Sequence, residues 1–308
     1  MATRFKNFPM TNPIPGALLP YCTGNYYFVN YGTGRDTPNA GTFKSPLKTI
    51  AYAYAKVISS NDDCIVLMGS STHVLTATLT VSKNRVTIVG LDGGIGTRFG
   101  QNAKIEIGVV AAQTGTLINT GIRNRFINLK VINDNSATGD HYCVIEGGEY
   151  AQYKNVEMYK STFLTTAGAC EFVSNGDSTT LENCTIGSLA NQITTAVRRP
   201  CILFTAGIAG AGLVTRELRV YNSMFLRYCG NAAQVFMYAG AGGDIERLAY
   251  FENCQFINNT TGTTMTNMIE SSVTANVTKI ATSATNSKVF SIGTTGAAAA
   301  GGLAVQSA

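Results

Sequence analysis

One six-residue pattern recurs five times and constrains the fold of this chain more than any other feature. An apolar residue, any residue, Asn, a small or apolar residue, any residue and an apolar residue follow one another in FINLKV, YKNVEM, LENCTI, VYNSMF and FENCQF, centred on Asn128, Asn155, Asn183, Asn222 and Asn253. Successive asparagines are 27, 28, 39 and 31 residues apart. That spacing is the period of a solenoid, with the longer gaps accommodating loop insertions.

Side-chain phase says what the asparagine does. A strand points alternate residues to opposite faces. Two residues before each Asn stand Phe126, Tyr153, Leu181, Val220 and Phe251, which face inward; one residue after stand Leu129, Val156, Cys184, Ser223 and Cys254. Under continued alternation the Asn would face in and its successor out. Instead the apolar phase slips by one position. A single left-handed residue between two short strands makes that slip, and Asn is the non-glycine residue that best tolerates the conformation. The asparagines are therefore expected at corners, stacked and hydrogen-bonded from coil to coil.

Composition agrees with strands and turns. The 308 residues are 45% hydrophobic and 13% charged, about half the usual charged share of soluble domains, so a large core is expected with few helices. A net charge of +5 is spread along the chain, its nearest clusters being Arg198-Arg199 and Arg216 to Arg219; no basic stripe or aromatic reading motif points to nucleic acid. The first residues hold no apolar run of signal-peptide length, and no run reaches the ~18 apolar residues of a membrane span, so a soluble chain made in the cytoplasm is expected. Eight cysteines lack CxxC or paired Cys/His spacing, which argues for reduced thiols without a zinc site or disulfide framework.

A repeated corner between short strands resembles the right-handed parallel β-helix of the pectin-lyase-like superfamily, in which stacked asparagines occupy such a bend. Residues 26 to 57, YYFVNYGTGRDTPNAGTFKSPLKTIAYAYAKV, resemble that family's opening segment: a strand, a Gly/Asp/Asn loop, and a short helix capping the end of the coil. Ser45 and Pro46 are the expected N-cap and first-turn pair. Residues 64 to 94 resemble the first coils. The resulting expectation is an all-β solenoid over 26–261, of seven to nine coils at about 28 residues each. Outside it would lie an extended, proline-bearing arm over 1–25 and an Ala/Thr/Ser/Gly-rich assembly segment over 262–308.

The resemblance also implies the functional alternatives. Its members cleave or hydrolyse polysaccharides with clustered carboxylates, and the candidate acids here are Asp134, Asp140, Glu146 and Glu149. Against catalysis, the positions expected to face outward, Lys130, Glu157, Thr185, Met224 and Gln255, form no acidic column, and the chain has no Trp to serve as a sugar platform. Asp140-His141 lacks a nucleophile motif, so His141 is read as a loop residue, and His73 as an ordinary strand residue. Cys184 and Cys254 are read as small core fillers. The apolar, Gly-rich stretch 201–214 is read as a buried strand and a tight turn, or a subunit contact. No cofactor or metal is expected.

The opening segment further resembles β-helical proteins on tailed bacteriophages, which are commonly trimers. That resemblance implies a non-enzymatic capsid decoration or cement protein on the virion surface, homotrimeric and held to capsid or other virion proteins through its terminal arms. The alternative is a tail fibre or tailspike that binds or depolymerises a host glycan.

Overall fold

The computed structural model describes residues 20, 22–69, 72–91, 105–109, 115–133, 141–160, 169–241, 243–260, 265–271, 279–282, 288–292 and 305–307. Every strand pairing among them is parallel, and the strands sort into three sheets of nine, eight and eight. The first sheet begins with Tyr26–Asn30, Cys64–Met68, Thr87–Gly90, Arg125–Ile127 and Gln152–Lys154. The second runs from His73–Leu75 to Lys288–Ile292, and the third from Leu79–Val81 to Val305–Ser307. The chain visits first, second and third sheet in turn and then repeats, so that each strand pairs with its counterpart one turn away. This is the right-handed parallel β-helix expected from the asparagine pattern.

All five asparagines occupy the corner between the first and second sheets, with φ between 51° and 55°. Their side chains link turns: Asn128 donates to the Gly90 carbonyl at 2.8 Å, Asn155 to Asn128 Oδ1 at 2.9 Å, and Asn253 to Asn222 Oδ1 at 2.6 Å. The phase slip is as read. Phe126, Tyr153, Leu181, Val220 and Phe251 are buried in the interior before the corner, and Leu129, Val156, Cys184 and Cys254 directly after it. Parallel in-register pairing stacks like on like, so Phe126 lies on Tyr153 and Phe225 on Phe256, each with ring centroids 4.7 Å apart. That distance is the spacing of neighbouring strands.

The opening helix covers the end of the coil but starts later than expected. It spans Ile50–Lys56, and its N-cap is Thr49, whose hydroxyl accepts from the Tyr52 amide at 3.2 Å. Ser45 and Pro46 are not the cap. Leu47, buried, exchanges backbone bonds with Phe28 and Asn30 as a short extension of the first sheet, while Asp36 Oδ1 accepts the Lys48 and Thr49 amides. Those bonds keep the backbone extended until Thr49.

The sheets also continue past residue 261. Ile269–Ser271 pairs with Met237–Ala239, Ile280–Thr282 with Ile245–Glu252, and Lys288–Ile292 with Gln255–Thr260. The described part of 262–308 therefore prolongs the coil rather than standing outside it; its low charge and Thr/Ser content suit strands as well as a loose tail. Residues 1–19, most of the expected N-terminal arm, lie outside the described residues.

Candidate functional site

The four candidate acids do not form a described cluster. Asp134 and Asp140 lie outside the described residues. Glu149 is exposed at the corner from third to first sheet, where its backbone bridges Ile122 and Asp177. Glu146 ends the strand Tyr142–Glu146 and points into the coil, fully buried. Its carboxylate accepts the Asn119 amide at 2.9 and 3.0 Å, the Gly148 N–H at 2.6 Å and the Tyr153 hydroxyl at 2.6 Å. Burial pushes its pKa up to about 7 against the pull of those donors. Asn119 in turn accepts from Asn124, which also bonds Val86 N–H and the Lys83 carbonyl. The acid belongs to an interior polar ladder joining three turns.

A second interior polar group lies between the second and third sheets. Arg227 grips Glu171 through two bonds, Nη1 to Oε1 at 3.2 Å and Nη2 to Oε2 at 2.8 Å, with both side chains wholly buried. Arg227 Nη2 also donates to Cys201 Sγ at 2.8 Å. Burial raises the Glu171 carboxyl and the nearby Arg227 charge pulls it down. Lys160, equally buried, donates to Asn133 Oδ1 at 3.3 Å. Among the described residues no three His, Cys, Asp or Glu side chains gather in a metal-binding group, and no helix is long and apolar enough to cross a membrane.

The column expected to face outward does form, with Lys130, Glu157, Thr185, Met224 and Gln255 paired in register on the second sheet. It is not an open face, because Lys130, Thr185 and Met224 are buried and the Lys130 ammonium sits over the Tyr159 ring. His73 lies buried within a strand, and burial holds its pKa down at about 4. His141 is buried just ahead of a strand, and its carbonyl accepts the Cys170 amide. All eight cysteines are buried, with Cys184 and Cys254 in the main core as read. In the 201–214 stretch, Ile202–Phe204 is a buried strand and the following turn folds back, Gly207 N–H meeting the Leu213 carbonyl at 2.9 Å.

Sequence reasoning missed a second left-handed column. At the corner from third to first sheet, Asp62, Arg85, Arg123, Tyr150 and Ser178 have φ between 54° and 59°. No single residue type fills that column, with four types over five positions, so no pattern announces it. Four of the five, Asp62, Arg85, Arg123 and Tyr150, together with Arg125 and Gln152 two residues along their strands, line an open cleft of about 390 Å³.

No family model matches the chain, and no curated relative matches it. Among solved structures, the pectin methylesterase PemA from Erwinia chrysanthemi is similar at 13% identity and a TM-score of 0.45, over 90% of this chain and 92% of that one. Pectate lyase Pel9A is similar at 11% identity and a TM-score of 0.45, over 92% and 78%; a rhamnogalacturonan lyase reaches 11% and 0.40, over 85% and 87%. The class that the three parallel sheets define is the parallel β-helix, and likeness at these identities concerns that architecture alone.

Proposed function

We propose that this chain is a non-enzymatic structural protein of a virion, a β-helical capsid decoration or cement protein that assembles as a trimer and is anchored by its ends. The observation that carries the non-catalytic part is Glu146: the described candidate acid with the most perturbed environment is sealed inside the coil and spent on joining turns. Among the described residues, sheets of nine, eight and eight parallel strands, tied at one corner by asparagine amides, make a rigid body suited to bracing neighbours. The virion setting is supported by the sequence of residues 26 to 57 and its resemblance to phage β-helices.

Deleting residues 1–20 and measuring occupancy on purified particles, with their thermal resistance, tests the anchoring: occupancy should fall, and unchanged occupancy refutes it. Sedimentation of the full chain should give three copies. The alternative, a tailspike-like protein that depolymerises a surface polysaccharide, requires acids that converge on an accessible face. Replacing Asp134, Asp140 and Glu149 by alanine, leaving the buried Glu146 in place, and losing a measured depolymerising activity with the melting temperature unchanged would establish it instead.

A further inference from the structure

The corner from third to first sheet is built to a regular plan. Arg85 N–H bonds the Ile122 carbonyl, Arg123 N–H the Glu149 carbonyl and Tyr150 N–H the Asp177 carbonyl, at 2.8, 2.7 and 2.8 Å. Arg85, Arg123 and Tyr150 are thereby stacked on successive turns, about 4.8 Å apart. Arg125 and Gln152, paired in register, form a second row beside them. Asn or Gly would adopt the left-handed conformation with less strain, and Asn fills the opposite corner five times. Here the positions carry two arginines and a tyrosine.

Charge decides what the cleft can hold. Three guanidiniums line the cleft with one carboxylate, which leaves two positive charges. Asp62 is already engaged: Oδ1 takes Arg125 Nη2 at 3.2 Å, and Oδ2 takes the Thr23 amide at 3.1 Å and its hydroxyl at 3.3 Å. Arg85 and Arg123 have no acidic partner among the described residues, although Arg216, Arg219 and Arg247 farther along the same sheet each pair with Asp177, Glu217 or Glu246. Arg123 is instead held over the Tyr150 ring, 5.8 Å from its centroid, a contact that orients a guanidinium without neutralising it. Two exposed arginines whose backbones stand one strand spacing apart repel each other. A carboxylate would cancel one charge; a phosphate dianion cancels both, and its several oxygens suit the planar forks of adjacent arginines. Tyr150 and Gln152, which also line the cleft, carry neutral hydrogen-bond donors.

We propose that this cleft is a binding site for a phosphate dianion, as a phosphomonoester or as free phosphate, with Arg85 and Arg123 as its charge-bearing ligands. The inference is independent of the virion reading and holds for any setting in which this fold works. Calorimetric titration of the full chain with inorganic phosphate, glucose 6-phosphate, sulfate and acetate at constant ionic strength tests it. Phosphate and sulfate should bind at least tenfold more tightly than acetate. Glucose 6-phosphate tighter than inorganic phosphate identifies an ester as the natural source, and equal affinities identify the free ion. Because a phosphate monoester gains its second charge near pH 6, its affinity should rise several-fold from pH 5 to pH 7.5 while that of sulfate stays flat.

The decisive variant is Arg85→Asn with Arg123→Asn, since asparagine suits the backbone at both positions and the fold should be kept or strengthened. It should melt no lower than wild type and bind phosphate at least tenfold more weakly. Undiminished phosphate binding in that variant, or acetate binding as tightly as phosphate in the wild type, overturns the proposal.

Discussion

Asn155 donates its side-chain amide to Oδ1 of Asn128 across one full turn of the coil, at 2.9 Å, while its own backbone holds φ at 55°. One residue thus meets two demands, the left-handed bend and the tie between turns. Alanine meets neither, whereas glycine accepts the bend and loses only the tie. Asn155→Ala should cost about 2–3 kcal/mol, from roughly 1–2 for the conformation and about 1 for the hydrogen bond. Asn155→Gly should cost about 1 kcal/mol less than Asn155→Ala. Urea midpoints of the two variants check this, and an alanine variant as stable as the glycine variant would remove the conformational part of the argument.

That double demand is why this corner could be read from sequence. The opposite corner imposes the same backbone conformation on Asp62, Arg85, Arg123, Tyr150 and Ser178, yet the side chains meet different surroundings, Asp62 pairing with Arg125, Arg123 lying over Tyr150 and Ser178 bonding Asp177 and Glu217, so nothing favours a common residue type. Glu146 was legible as an acid but not as an interior one, because spacing does not tell which face of a strand end is closed. Register tells it: Glu146 pairs with Asn119 on one side and Ser174 on the other, all buried. The helix starts at Ile50, later than Ser45 and Pro46 suggest, because Asp36, twelve residues upstream of Lys48 in sequence, supplies the bond that keeps Lys48 extended.

The buried Glu146 should give stability a specific pH dependence. Its carboxyl is raised from 4.5 to about 7 by burial, so the folded state binds the proton more tightly than the unfolded chain does. The sign follows: Glu146 costs nothing below about pH 4.5, costs progressively more up to about pH 7, and a constant amount above that. A displacement of this size corresponds to about 3 kcal/mol. Urea unfolding of wild type and Glu146→Gln across pH 4.5 to 8 should show the wild type losing about that much relative to the variant as pH rises. A difference independent of pH would mean that the three donor groups, Asn119, Gly148 and Tyr153, keep the carboxylate ionised throughout.

Arg227 and Glu171 should behave as a unit. With both side chains wholly buried, Glu171→Leu alone leaves an uncompensated guanidinium in the interior and should cost about 3–5 kcal/mol. Adding Arg227→Met removes the orphaned charge, and the double variant should recover most of that loss. A double-mutant cycle by chemical denaturation measures the coupling; additive losses would show that Arg227 is satisfied by Cys201 and its other neighbours without Glu171.

Gly147 marks where the glycine-rich turn after Phe204 closes over the third sheet. A Cβ at this position would lie 2.2 Å from Cβ of Ala209 and 3.6 Å from its Cα, and Ala209 N–H is bonded to Asn175 Oδ1 at 3.2 Å. Gly147→Ala must therefore lift the turn off the sheet, because the strand beneath is fixed by its parallel neighbours on both sides. Global stability should fall by about 1–3 kcal/mol, the usual cost of overpacking, and the loss should be local: hydrogen exchange and protease cleavage should quicken within 206–213 and stay unchanged in the core strands. Ala209→Gly in the same chain removes the colliding methyl and leaves the residue 209 Cα at 3.6 Å and the end of the Leu213 side chain, which can give way, at 3.3 Å, so the pair should regain most of the protection in the turn. If the double variant remains as open as Gly147→Ala alone, the turn is held by something other than this contact, and its glycines have a purpose beyond close approach to the sheet.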